Sequence, residues 1–328
     1  MPLPLQFRPD NRFRIVQLTD LHWANGGEED RQTQRLTDLV LDHARPDLAV
    51  LTGDVIAGGE CYDPAASWLN AVQPMEQRGI PWAAVFGNHD DEGSLTRAQL
   101  LEVQRSCRYC LSDAGPEEVT GAGNYALTVQ AADSGEFGAV LYFLDSNSYA
   151  KGRFSGYGWF ERDQIAWYLA TAGRIAGNRT PSFSSDDSIP ALAFFHIPLP
   201  EFDDVWDFGT CYGHKYEAVS APRINTGMFA AFCEAGDVMG VFVGHDHIND
   251  YEGTWHGIRL CFGRAGGYGT YGRDGFSRGA RIIELCAGER QFSTWALLDD
   301  GTEVRHPPLH KPEGRILTRD RMIAAGDL

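Results

Sequence analysis

Three apolar runs, FRIVQLTD (13–20), LAVLTGD (48–54) and WAAVFGNHD (82–90), each break off into polar residues at the same relative point. Each run is short, rich in β-branched and aromatic residues, and reads as a buried strand. The segments between them carry helical patterns. In Glu29 to Ala44, Leu36, Leu39, Val40 and His43 fall at helical spacing before Arg45-Pro46; in Pro64 to Arg78, Trp68, Leu69, Val72 and Met75 do so despite Pro74. Asp54 follows Asp20 by 34 residues and Asn88 follows Asp54 by 34. A strand-helix-strand unit needs roughly 30 or more residues, so this spacing predicts parallel strands. The polar residues then sit just past the strands' carboxyl ends, where open α/β sheets bind ligands.

Working outward, Ser94 to Ser106 reads as a helix, and Tyr125 to Val129 and Ala139 to Leu144 as strands. Trp159 to Ala172 is amphipathic, and 180–188 is a polar loop. Ala191 to Phe195 is a buried strand ending at His196; Met228 to Glu234 is helical; Val238 to Val243 is a strand ending at Gly244-His245. Gly257 to Cys261, Ala280 to Leu285 and Phe292 to Leu297 alternate with glycine turns, as in an antiparallel sheet. The expectation is one α/β domain, residues 1–306, with two sheets. A polar tail at 307–328 is expected to be mobile or loosely docked.

The 328 residues are 43% apolar and 22% charged, enough to bury a core. With 28 basic and 45 acidic residues the net charge is −17, which disfavours duplex nucleic acid and anionic lipid as partners. No apolar run approaches the roughly 18 residues of a membrane span, and the start lacks the pattern of a signal peptide. Seven cysteines, with one CxxC at Cys107 and Cys110 and no second pair, read as reduced thiols in a cytoplasmic protein.

Five strand ends supply candidate ligands: Asp20-Leu21-His22, Gly53-Asp54, Gly87-Asn88-His89-Asp90, His196, and Gly244-His245-Asp246-His247. Taken singly, each is explained as well by a turn, a helix cap or a core-edge histidine. Together they would bury too many ionisable groups at one sheet edge without pairing or metal. The count fits two centres, Asp20, His22, Asp54 and His247 in one and Asp54, Asn88, His196 and His245 in the other, with Asp54 shared. Imidazole and carboxylate ligands suit two divalent transition-metal ions, Mn, Fe or Zn, rather than Ca or Mg. Such a pair forms a local anion site inside an acidic protein and suits displacement at phosphorus.

In this order the blocks resemble the signature of the calcineurin-like metallophosphoesterases: DxH, GD, GNH(D/E), an isolated His, then GHxH. They span about seven-tenths of the chain. The segments FGNHDDEG, LDSNSY, GYGWFERDQIAWY, FFHIPLPEF, EAVSAPRINTG, GHDHINDY and RAGGYGTYGRDG resemble the branch of purple-acid-phosphatase-like and fungal cell-cycle-regulator phosphatases. The resemblance implies a two-sheet β-sandwich flanked by helices, a four-layer αββα fold. It implies hydrolysis of phosphomonoesters, small molecules or phosphoproteins, by a metal-bridging hydroxide. His89 would stabilise charge and protonate the leaving oxygen, and Asp90 would orient His89. Asn88 and His89 would contact substrate. The Gly/Tyr-rich segment 263–275 would be either a rim that contacts substrate through Tyr268, Tyr271 or Arg273, or a solvated hairpin. Glu217 and Asn225 would line the pocket or cap a helix. The purple enzymes' tyrosine ligand is replaced by Ala57, and His22 stands where they have glycine. Mn, Fe(II) or Zn is therefore expected rather than an obligatory ferric ion.

Three other readings share these residues. Cyclic-nucleotide or other phosphodiesterase activity depends on loops that sequence does not place. A non-catalytic scaffold of the same fold would not need every ligand position and His89 filled. A mononuclear iron oxygenase would leave most of the ligands unexplained.

Overall fold

The computed structural model describes residues 4–132, 136–177 and 188–312. Most of the polar loop expected at 180–188 (180–187), and 313–328 of the expected tail, lie outside the described residues.

The three opening strands form as read. Arg12–Leu18, Leu48–Thr52 and Trp82–Val85 lie parallel, in register Val16–Ala49 and Val50–Ala83. They occupy one side of a six-stranded sheet, which Gly279–Cys286, Phe292–Leu298 and Glu303–Val304 complete with antiparallel pairings. A nine-stranded sheet faces it. Its centre is parallel: Phe137–Phe143, Ala191–Phe194, Val238–Val243 and Ile258–Phe262.

The period-two alternation of the strands divides their side chains between layers. Ile15, Val50, Leu141 and Phe194 point between the sheets, into one apolar core. Val16, Leu51 and Ala84 point the other way, onto helices Glu28–Ala44, Pro64–Arg78 and Arg97–Arg105. Tyr142, Ala193 and Val241 point onto Arg162–Ile175, Glu201–Phe208 and Met228–Ala235. The result is a four-layer αββα fold.

Several local expectations are corrected. The last three strands do not share a sheet: Ile258–Phe262 joins the nine-stranded sheet, parallel to Val238–Val243 and in a hairpin with Glu252–Trp255. The helix expected from Ser94 begins at Arg97, because Thr96 and Gln99 form a capping box there. Asp91 accepts from Arg97 Nε at 3.2 Å. Leu69 and His43 face outward, His43 toward Glu303. Of the two alternatives for the tail, its start takes the docked one: Leu309–His310 pairs with Cys211–Tyr212, and the His310 ring stacks on Trp206 at 3.7 Å.

The carboxyl ends of both parallel strand sets meet at one edge. Gln17 stitches them there, its amide donating to the Val243 carbonyl of the other sheet and to Thr52 Oγ1, both at 2.9 Å. The glycines of the GNH and GH blocks allow the final approach. A Cβ on Gly87 would lie 2.1 Å from Asp54 Oδ1, and one on Gly244 would lie 1.9 Å from Thr19 Oγ1.

Candidate metal centre

Four of the predicted ligands, Asp20, His22, Asp54 and His245, sit in the left-handed backbone region, with φ of 53°, 45°, 47° and 78°. Non-glycine residues avoid this region, at a cost of order 1–3 kcal/mol each, unless their surroundings enforce it. Here each turns its side chain back over the strand ends. The turn at His245 also sends the two GHxH histidines to different places.

Two groups of ligand atoms result, one of Asp20, His22, Asp54 and His247, the other of Asp54, His196 and His245. All six residues are buried. In the first group His22 Nε2 and His247 Nε2 are 3.3 Å apart, and His247 Nε2 is 3.4 Å from Asp20 Oδ1. In the second, His245 Nδ1 lies 3.2 Å from His196 Nε2, which lies 3.1 Å from Asp54 Oδ2. The same Asp54 oxygen is 3.6 Å from His22 Nε2, which makes it the atom common to both groups. Asn88 is buried beside them; its amide nitrogen donates to Tyr149 (3.0 Å) and its Oδ1 has no hydrogen bond.

The free atoms are the decisive chemistry. Asp54 Oδ2, Asn88 Oδ1 and His245 Nε2 are buried with no hydrogen-bond partner. Buried polar atoms left so are costly and rare. Paired imidazole nitrogens at 3.2–3.3 Å, with carboxylate oxygens 3.1–3.6 Å from them, are the surroundings that a cation resolves. The donor set of carboxylates, imidazoles and one amide oxygen fits two divalent transition-metal ions. Supporting bonds fix the rings. His196 Nδ1 donates to the Thr52 carbonyl (2.7 Å), and His247 Nδ1 lies 3.0 Å from Thr270 Oγ1. Each leaves Nε2 for a ligand bond, as buttressed metal-binding histidines do. Burial holds His22 down at about 4 and His245 at about 3, so both rings are neutral at neutral pH. Burial also pulls on His196, but Asp54 and Asp20 outweigh it and raise this ring to about 9.

His89 stands at the wall of a cavity of about 310 Å³ that opens over both groups. Its backbone N–H donates to Asp54 Oδ1 (2.8 Å). Its ring is oriented by Glu92, not by Asp90: Nδ1 is 2.7 Å from Glu92 Oε2, and Tyr149 donates to Glu92 Oε1 at 2.9 Å. Asp90 is buried beneath the loop and accepts the backbone N–H groups of Asp54 (3.1 Å), Ile56 (3.0 Å) and Gly87 (2.7 Å). It thereby clamps the GD and GNH turns together. Burial pulls the His89 pKa down, but Asp54 and Glu92 outweigh it and lift the ring above the ordinary histidine value.

Of the three predicted rim residues, Tyr271 lines the cavity, its ring stacked on His247 at 4.1 Å and its hydroxyl donating to Glu217 (2.9 Å). Tyr268 instead donates to Asp299 (2.6 Å), and Arg273 lies over the Tyr216 ring at 4.3 Å; neither lines the cavity. Asn225 sits near the start of the helix Met228–Ala235, accepting from Gly227 N–H at 3.0 Å. Ala57, at the position of the purple enzymes' tyrosine, is on the cavity wall. Sequence reasoning gave no role to Glu92, Tyr149 or Thr270. Glu92 had a signal, its spacing three residues beyond His89; Tyr149 and Thr270 lie in the segments LDSNSY and RAGGYGTYGRDG, but nothing in their spacing pointed to Glu92 or His247.

The family model for calcineurin-like phosphoesterases matches residues 13–249. A relative from Arabidopsis thaliana, probable inactive purple acid phosphatase 29, is 35% identical over 90% of this chain and 85% of its own length. Phosphatase DCR2 of Saccharomyces cerevisiae is 36% identical over 90% of this chain and 55% of its own. The crystal structure of a dimetal phosphatase from Danio rerio superposes with a TM-score of 0.56 at 14% identity, covering 86% of this chain and 98% of that one, and shows the same fold.

Proposed function

The chain belongs to the calcineurin-like phosphoesterase family, and we propose that it is a metal-dependent phosphoesterase acting on small phosphomonoesters. The observation that carries this is the pair of ligand groups sharing Asp54, with unpartnered donor atoms, directly beneath His89. Asp20, His22, Asp54 and His247 would hold one divalent ion, and Asp54, Asn88, His196 and His245 the other. Bound there, the ions would lower the pKa of water at the site and withdraw charge from a phosphoryl group.

The protein's own residues do the rest. The hydrolysis adds water oxygen to phosphorus and breaks the bond to the ester oxygen, which leaves as an alcohol once it takes a proton. His89 supplies that proton from Nε2, because Nδ1 is engaged by Glu92. Glu92 and Tyr149 fix the ring, and Tyr149 ties the same hydroxyl to Asn88. Asp90 keeps the turns that carry Asp54 and His89 at a fixed separation. The substrate is a phosphate ester; duplex nucleic acid and membranes are not partners in this reading.

The word inactive in the name of the plant relative makes a non-catalytic protein the reading to exclude. Protein reconstituted with Mn, Fe(II) or Zn is assayed for phosphate release from p-nitrophenyl phosphate and an alkyl phosphate, with bis-p-nitrophenyl phosphate as the diester. Turnover of the monoesters that is lost on chelation and in Asp54→Asn supports the proposal. A well-folded, metal-loaded protein with no turnover establishes the scaffold instead, and faster diester cleavage reassigns it as a phosphodiesterase.

A further inference from the structure

Beyond the ligands and His89, the cavity is walled by Glu60, Glu92, Tyr157 and Tyr271, and no lysine or arginine lines it among the described residues. The rings are held in place. Tyr271 is stacked on His247, and Tyr157 stands edge-on to His245 at 4.3 Å. Glu60 closes the short 3₁₀ helix Gly58–Glu60; it is exposed, and its carboxylate has no hydrogen-bond or ion-pair partner among the described residues. The phosphate end of a substrate is provided for by the centre and His89. The charged and aromatic groups further out are two carboxylates and two tyrosine rings; the rest of that wall is the small, uncharged Ala57, Gly59, Ser220, Gly269 and Thr270. A second phosphate or a carboxylate on the substrate would meet Glu60, which no cation compensates among the described residues, and Glu92, which already engages His89. An ammonium group would meet carboxylates and tyrosine rings together, the combination that recognises organic cations. The cavity's volume, about 310 Å³, suits a small molecule rather than an extended chain.

We propose, building on the phosphomonoesterase reading, that the alcohol portion of the substrate carries an ammonium group: the enzyme takes an amino-alcohol phosphomonoester and discriminates against esters bearing a second anion. Water enters at phosphorus, inorganic phosphate leaves, and the amino alcohol keeps its charge.

The test compares kcat/KM for phosphocholine, its uncharged isostere 3,3-dimethylbutyl phosphate, and 3-phosphooxypropanoate, with phosphoethanolamine added to separate quaternary from primary ammonium. The cationic esters should exceed the isostere by about tenfold, a difference of about 1.4 kcal/mol. The isostere should in turn exceed the anionic ester. The advantage should shrink in 0.5 M salt. Glu60→Gln should lower the phosphocholine-to-isostere ratio at least threefold, and Glu60→Lys should bring it to one or below. Calorimetry provides a readout independent of turnover: choline should bind and 3,3-dimethylbutanol should not. Equal or inverted ratios, while p-nitrophenyl phosphate is still hydrolysed, overturn the ammonium assignment and leave the phosphoesterase reading standing. Absence of turnover on every ester overturns both.

Discussion

Replacing Glu92 by alanine removes the only carboxylate among the described residues that touches the His89 ring in hydrogen-bonding geometry, at 2.7 Å, and strands the Tyr149 hydroxyl on that side. A hydrogen bond to a charged group contributes about 1.5–3 kcal/mol. This one joins side chains that are 39% and 36% exposed, so solvent screening takes roughly half, leaving about 0.8–1.5 kcal/mol, or at most about tenfold in rate. That loss applies only where the leaving oxygen needs a proton. Glu92→Ala should therefore slow an alkyl phosphate by up to about tenfold and p-nitrophenyl phosphate, whose leaving group departs as a stable anion, by less than about threefold. Glu92→Gln should fall between Glu92→Ala and the unmodified protein on the alkyl ester. The double variant with His89→Ala should be no slower than His89→Ala alone, because Glu92 acts through that ring. Equal losses on the two esters, or additive losses in the double variant, would refute the coupling.

Elemental analysis of the reconstituted protein should give two metal ions per chain, and saturation about 100-fold above Kd should stabilise by about 2.7 kcal/mol per site, raising Tm by about 4 °C for the first alone; a single ion, or an unchanged Tm, contradicts the two-centre geometry. Gly87→Ala should cut activity by about 10² or more, since the added methyl would sit 2.1 Å from Asp54 Oδ1, while circular dichroism and cooperative melting persist; near-normal turnover would show that Asp54 has freedom the structure denies. Burial pushes the Asp250 carboxyl up, but hydrogen bonds from His214 and the charges of Arg264 and Arg281 outweigh it and hold it below the ordinary value. Its stabilisation is therefore complete above the unfolded-state value of about 3.9 and fades as pH falls through the lower folded-state one. Denaturant unfolding from pH 6 to pH 2 should show a flatter acid limb for Asp250→Asn, and an unchanged limb would disprove the assignment.

The strand ends were legible because two independent signals coincide there, an apolar run that must be buried and a polar residue that ends it. That was enough to find Asp20, Asp54, Asn88, His196 and His245 at one edge. The partners of His89 were not legible in the same way. Asp90 follows it directly, but the turn buries that carboxylate under the loop and brings Glu92, three residues on, beside the ring. Nor could sequence assign Ile258–Phe262 to its sheet. Alternation fixes which face of a strand is buried but not which distant strand it pairs with, and here the partner lies parallel at Val238–Val243. Tyr268 and Tyr271 look equivalent in GYGTY, yet the backbone sends the first to Asp299 and the second onto His247.

The seating of Gly87 against Asp54, and of Gly244 against Thr19 and Asp20, locks four separate turns in two pairs, and the Asp20 N–H donating to the Gly53 carbonyl (3.1 Å) ties the pairs into one mechanical joint. None of them has slack to adjust alone, so the interior of the pocket cannot be retuned piecemeal. Any drift in appetite is pushed outward to positions such as Glu60, where a side chain can be exchanged without disturbing the hinge beneath it.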